Sequence, residues 1–154
     1  MIPNTTQRQV DHSAIKVNQA FVAGLLALAF VFDAPALAAF VSAVMLLGTA
    51  WPRLALFQGL YRGILRPAGL VKPRIIVDNP EPHRFAQGMG GVFVGLGTVA
   101  LLLGQGIVGW TLVWVVIGLA SLNLFLGFCA GCFLYYQLSR LGVPGFRYHP
   151  IRQG

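Results

Sequence analysis

Acidic side chains are nearly missing from this chain: four in 154 residues, Asp11, Asp33, Asp78 and Glu81, spread so as to suggest no carboxylate pair for general acid–base chemistry. No Gly-rich phosphate loop and no catalytic-triad pattern is present either. Charge of either sign is scarce, at 10% of residues against about 25% in an ordinary soluble domain. The long apolar stretches hold no Asp, Glu, Lys or Arg at their centres, which argues against a proton relay or an ion-coupled carrier. They hold no histidine to ligate haem or chlorophyll, and no inverted repeat with broken helices of the transporter kind. Cysteine is limited to Cys129 and Cys132, so a closed zinc site would lack a second cysteine pair; no metal and no cofactor is expected.

What remains is apolar and basic. Hydrophobic residues make up 56% of the chain and mean hydropathy is +0.73. All eleven Lys and Arg fall in three places: Arg8 and Lys16 near the start, Arg53 to Arg84 in the middle, and Arg140, Arg147 and Arg152 near the end. Because basic loops beside membrane segments stay in the cytoplasm, this spacing predicts an all-α membrane protein with four transmembrane helices as two hairpins and both termini inside. The pI near 10.3 does not point to nucleic acid, since the cations interrupt apolar blocks instead of lining one face. Anionic phospholipid is the expected counter-charge. The first dozen residues are polar, so helix one is expected to act as its own insertion signal.

The expected organisation is a cytoplasmic tail (1–13), a hairpin (14–51), an interfacial helix with a Pro-rich connector (52–84), a second hairpin (85–138) and a cytoplasmic tail (139–154). Helix one is drawn from Ala14 to Phe32 and helix two from Pro35 to Trp51, with Asp33-Ala34-Pro35 as the outer turn. Helix three starts near Phe85, Gly104-Gln105-Gly106 turns the chain, and helix four runs unbroken from about Val108 through at least Phe133, as far as Leu138. Between the hairpins, Gln58, Arg62 and Arg66 recur every fourth residue opposite Leu54, Phe57, Tyr61, Ile64 and Leu65. That is the pattern of an amphipathic helix in the headgroup layer, with Arg53, Arg62 and Arg66 on lipid phosphates. Lys72-Pro73, Asn79-Pro80 and Glu81-Pro82 favour extended backbone in a connector without a domain of its own.

Asn18-Gln19-Ala20-Phe21 and Phe85-Ala86-Gln87-Gly88 open the two hairpins as a weak repeat. Gly88, Gly91 and Gly95, and the pair Gly127 and Gly131, are spaced for close helix packing. The chemistry candidate is Cys129-Ala130-Gly131-Cys132, whose thiols would share one helical face and could cycle as a dithiol, pass sulfur or bind a soft metal. Buried small residues in a packed helix are the plainer reading. At the cytoplasmic end of a continuous helix four, the helix dipole would disfavour thiolate, the reverse of a thioredoxin-type site. Asn123, about two turns before Cys129, needs a polar partner in a dry environment and is the expected support. His12, His83 and His149 all fall in inner-face segments.

The run Val17-Asn18-Gln19-Ala20, the connector from Asp78-Asn79-Pro80-Glu81-Pro82-His83 through Gly88, and the ending from Leu122-Asn123-Leu124 through Phe128-Cys129-Ala130-Gly131-Cys132 to Tyr135 together resemble the bacterial domain-of-unknown-function family 4395. The resemblance spans about Val17 to Leu138 and implies an integral protein of the bacterial inner membrane, sometimes associated with thioredoxin-like or rhodanese-like proteins. Asn123, Cys129 and Cys132 match its distinctive ending. Two functions follow. One is a cytoplasmic-face dithiol that exchanges electrons or sulfur with a soluble thioredoxin-like or rhodanese-like partner. The other is a non-catalytic accessory subunit that packs its glycine faces into a larger membrane complex or homo-oligomer.

Overall fold

The computed structural model describes residues 9–51, 59–69, 72, 74–77 and 80–144. Among the described residues five α-helices carry the fold: α1 (His12–Val31), α2 (Pro35–Ala50), α3 (Pro80–Leu102), α4 (Gly106–Leu126) and α5 (Ala130–Arg140). Around the bundle α1 touches α2 and α4, and α3 touches α2 and α4, so the four long helices close a ring, with α5 packed on α3. At its centre lie Val22, Leu26 and Ala29 of α1, Ala38, Val41 and Met45 of α2, Val94 of α3, and Val113, Val116 and Ile117 of α4. The outer faces are equally apolar: Phe40, Leu96, Trp114 and Leu122 are all exposed. A helix that is apolar on every side belongs in a large core or in lipid. α1, α3 and α4 provide stretches of 20, 22 and 21 residues, long and apolar enough to cross a membrane. α2, at 16 residues, is shorter.

Both chain reversals close in the same way. Ala34 N–H donates to Ala29 O at 2.8 Å with Asp33 at φ 47°, and Gln105 N–H donates to Ala100 O at 2.8 Å with Gly104 at φ 82°. Each caps a carbonyl that a helix C-terminus leaves without a donor partner. The α2–α3 contact is drawn tight by glycine. A Cβ added at Gly88 would lie 2.9 Å from Thr49, at Gly91 3.0 Å from Leu46, and at Gly95 3.0 Å from Ser42 Oγ, an antiparallel register in which one helix ascends as the other descends. Ser42 Oγ donates to Gly91 O at 2.8 Å inside this seam. Arg84 Nη2 donates to Thr49 O at 2.6 Å and Gln87 Nε2 to Met45 O at 3.2 Å at its end.

The structure corrects the sequence reading at the end of helix four and at the start of helix three. Helix four is not continuous: α4 stops at Leu126, Gly127 turns left-handed at φ 69°, and α5 begins at Ala130. Gly127 therefore ends a helix, with nothing within 4 Å of an added Cβ, and does not pair with Gly131 as a packing motif. Helix three begins at Pro80, five residues before Phe85, because prolines at 80 and 82 fall in a first turn whose N–H groups have no intrahelical acceptor to lose.

The connector, expected to be extended, contributes a strand. Ile75–Val77 (β2) pairs antiparallel with Gln9–Asp11 (β1), in register Gln9 to Val77 and Asp11 to Ile75. Asp11 gathers this end of the molecule: its Oδ1 accepts from Ser13 N at 3.0 Å as the α1 cap and from Arg74 N at 3.2 Å, while Oδ2 accepts from the Tyr61 hydroxyl at 3.1 Å. Tyr61 is fully buried and opens a π-helical turn, Tyr61–Leu65. Arg62, Ile64 and Arg66 are exposed, while Arg53, Leu54, Phe57 and Gln58 of the expected amphipathic helix lie outside the described residues.

Candidate functional site

The break after α4 creates the site. Glycine adopts a left-handed conformation at little cost, so Gly127 can stop α4 with its N–H on Asn123 O at 3.1 Å. Two residues later Cys129 is extended, at φ −99° and ψ 103°, and serves as the N-cap of α5. Its Sγ accepts the backbone N–H of Cys132 at 3.2 Å, and its carbonyl accepts from Phe133 N at 3.0 Å. Cys132 sits in the first turn of α5, buried, with its Sγ 3.4 Å from His83 Nδ1. His83 comes from the first turn of α3, and its ring meets that of His12 edge to face at 5.8 Å between centroids.

Gly131 is what lets the two helices approach. A Cβ there would lie 2.7 Å from Ala86 Cα, backbone that cannot rotate away, so only glycine allows α5 to lie this close to the start of α3. One turn further along, Tyr135 packs edge-on against Phe85 at 5.8 Å.

Electrostatics single out one sulfur. The Cys129 thiol is lowered to about 5, chiefly by the Cys132 side chain donating to it; burial pushes the other way, and His83 and the Cys132 backbone N–H add to the lowering. The N-terminus of α5 acts in the same direction, because its free N–H groups and aligned dipoles favour an anion. Cys129 is half-buried and Cys132 buried, so the outer sulfur is the activated one. His83 Nδ1 and the two Sγ atoms lie within 4.8 Å of one another, close enough for a single soft metal ion to be shared, one ligand short of a closed tetrahedral site. No other such group of histidine, cysteine and acidic side chains occurs among the described residues.

Residues 10–140 match the family model described as "Domain of unknown function (DUF4395)". The chain belongs to this family. No curated protein and no solved structure matches it. Every residue of the site, from Asp11 and His12 through His83 to Cys132, lies within the stretch that the family model covers.

Of the residues singled out in the sequence, Cys129, Cys132 and Asn123 converge. Asn123 is buried in the last turn of α4 and lines a cavity with Cys129 and Gly131. Gly88, Gly91 and Gly95 stand on the α2 seam, away from the sulfurs. Arg62 and Arg66 stand on the turn held by Asp11, and His149 lies outside the described residues. His83 was one of three histidines with nothing to rank it; the signal was the pairing of Ala86 with Gly131, two small residues that mark where α3 and α5 touch.

Proposed function

We propose that Cys129 and Cys132 form the working dithiol of a membrane thiol–disulfide or sulfur-relay protein that serves a soluble partner at the cytoplasmic face. The observation that carries this reading is Cys129 at the N-terminus of α5, with the Cys132 N–H on its sulfur and His83 against Cys132. Cys129 thiolate attacks a partner disulfide, forming a mixed disulfide and expelling the partner's second sulfur as thiolate. Cys132 then passes its proton to His83 and attacks Cys129 Sγ, closing the intramolecular disulfide and releasing the partner reduced. Atoms and electrons balance: the pair gives up two electrons and the Cys132 proton, the partner's disulfide takes the two electrons, and its two thiolates take one proton from His83 and one from water.

In this reading α1, α2, α3 and α4 all span the bilayer as two hairpins. α2, about 24 Å long, crosses with local thinning or snorkelling at its ends. Lys16, Lys72, Arg74 and Arg84 belong to the same end of the bundle as the sulfurs, which the positive-inside rule assigns to the cytoplasm.

Alkylation of intact and permeabilised cells, with and without reductant, reads the side and redox state of the thiols. A dithiol that cycles, together with a Cys132→Ser variant that accumulates a mixed disulfide with a soluble thiol protein, supports the proposal. Thiols that never oxidise, with Cys129→Ser and Cys132→Ser behaving as wild type while the protein co-purifies with a larger assembly, transfer the case to the accessory-subunit reading.

A further inference from the structure

A cavity of about 100 Å³ is lined by Cys129 together with residues of all five helices, chiefly α3 and α4. It is smaller than the ~150 Å³ dry cavity that accepts benzene, so a six-membered ring seats in it in part and reaches out through its open side. Its walls are Met45, Met89, Phe93, Val116 and Leu119, with Gln19, Gln87 and Asn123 as its three side-chain amides; no charged residue lines it. Gln87 is held by its bond to Met45 O, which fixes one amide at the wall. Phe93, Val115 and Leu119, on the cavity's edge, are 37%, 45% and 39% exposed on the apolar outer surface. The opening therefore faces the side of the bundle that an apolar compound would approach.

These features select an occupant. An anionic lipid headgroup, a nucleotide or a fatty acid would bring a charge into a wall that offers no counter-charge, and a buried charge without a partner is disfavoured. A flat neutral ring with carbonyl oxygens fits, because methionine and aromatic walls take its faces and amide N–H groups take its oxygens.

Resting on the dithiol reading above, we propose that this cavity binds the ring of a quinone, and that Cys129 and Cys132 exchange their electron pair with it. Cys129 thiolate adds to a ring carbon, forming a C–S bond; Cys132, its proton gone to His83, then attacks Cys129 Sγ, so that the S–S bond forms as the C–S bond breaks and its electron pair stays on the ring. The ring, two electrons richer, takes the proton from His83 and a second from water and leaves as quinol. One disulfide is made per quinol. The thiol–disulfide exchange with a soluble partner, run in reverse, lets that partner's dithiol reduce the Cys129–Cys132 disulfide again, so the cavity links a soluble thiol partner to a carrier dissolved in the bilayer.

The test uses the full chain, reduced and reconstituted in lipid nanodiscs, with a benzoquinone bearing substituents on every ring carbon so that thiolate cannot add irreversibly. Quinol is followed by absorbance and the Cys129–Cys132 disulfide by mass after alkylation. The expected result is disulfide and quinol in one-to-one yield, with an Ala120→Phe variant, which fills the cavity, slowed at least tenfold more toward the quinone than toward glutathione disulfide. An Asn123→Leu variant gives the same ratio test should the larger side chain prevent folding. Wild-type protein oxidised by glutathione disulfide but not by the quinone overturns the cavity proposal and leaves the dithiol. Protein that neither reagent oxidises overturns both.

Discussion

Cys132 Sγ and His83 Nδ1 stand 3.4 Å apart although 49 residues separate them in the chain. The contact joins the first turn of α5 to the first turn of α3, and it is the reason the two thiols differ. Cys132 is held by the imidazole and donates to Cys129, leaving Cys129 as the thiolate.

The pH dependence of alkylation should report this. Wild-type Cys129 should react with iodoacetamide with a midpoint near the value of about 5 given above, and Cys132→Ala, by removing the largest cause, should move the midpoint up toward the ordinary ~8.5. His83→Ala should move it in the same direction by less. A group whose folded pKa is depressed stabilises the fold above its unfolded pKa, so thermal stability should fall as pH drops from about 8.5 to about 5. That slope should be absent in Cys129→Ser; a wild-type midpoint near 8.5 would refute the electrostatic account.

Gly131→Val should separate the helices. The new Cβ meets Ala86 backbone, and overpacking of this kind costs about 1–3 kcal/mol. The melting temperature in detergent should drop, and the yield of the Cys129–Cys132 disulfide under mild oxidant should drop with it. A variant with normal disulfide yield would mean that α5 does not need its contact with α3.

Gly127→Ala places a side chain in left-handed backbone, at a cost of about 1–2 kcal/mol. Relief comes by continuing α4 through the break, which would take Cys129 off the N-cap of α5. The readout is a slower alkylation rate at pH 6 together with increased helix content by circular dichroism.

Ser42→Ala removes a buried donor from Gly91 O and should cost about 0.5–1.5 kcal/mol with little effect on thiol reactivity, because the seam lies away from the sulfurs. Chemical denaturation in mixed micelles measures the first; the alkylation assay measures the second.

The long helices were readable because lipid-length apolar runs, the turn at Gly104 and the proline at 35 are local signals. The α2 face of Gly88, Gly91 and Gly95 was readable as a pattern, though not its partners Thr49, Leu46 and Ser42. The break at Gly127 was missed because Leu122 to Leu134 is apolar on both sides of it, so hydropathy continues where the backbone does not. That error inverted the electrostatics of the sulfurs, turning a helix N-terminus into a helix end. The pairing of Gln9–Asp11 with Ile75–Val77 was hidden for another reason: two three-residue strands, more than sixty positions apart, leave no periodic trace. His83 needed tertiary proximity that no spacing along the chain encodes.

The ribbon of Gln9–Asp11 with Ile75–Val77, fastened by the Asp11 carboxylate, laces the beginnings of α1 and α3 to each other. α5, by contrast, packs chiefly on α3 through Gly131 and Tyr135. The sulfur site thus has two unlike walls: the one bearing His12 and His83 is braced by the ribbon and by Asp11, while the short helix that carries Cys132 is joined to the bundle by the turn at Gly127 and by its seam with α3.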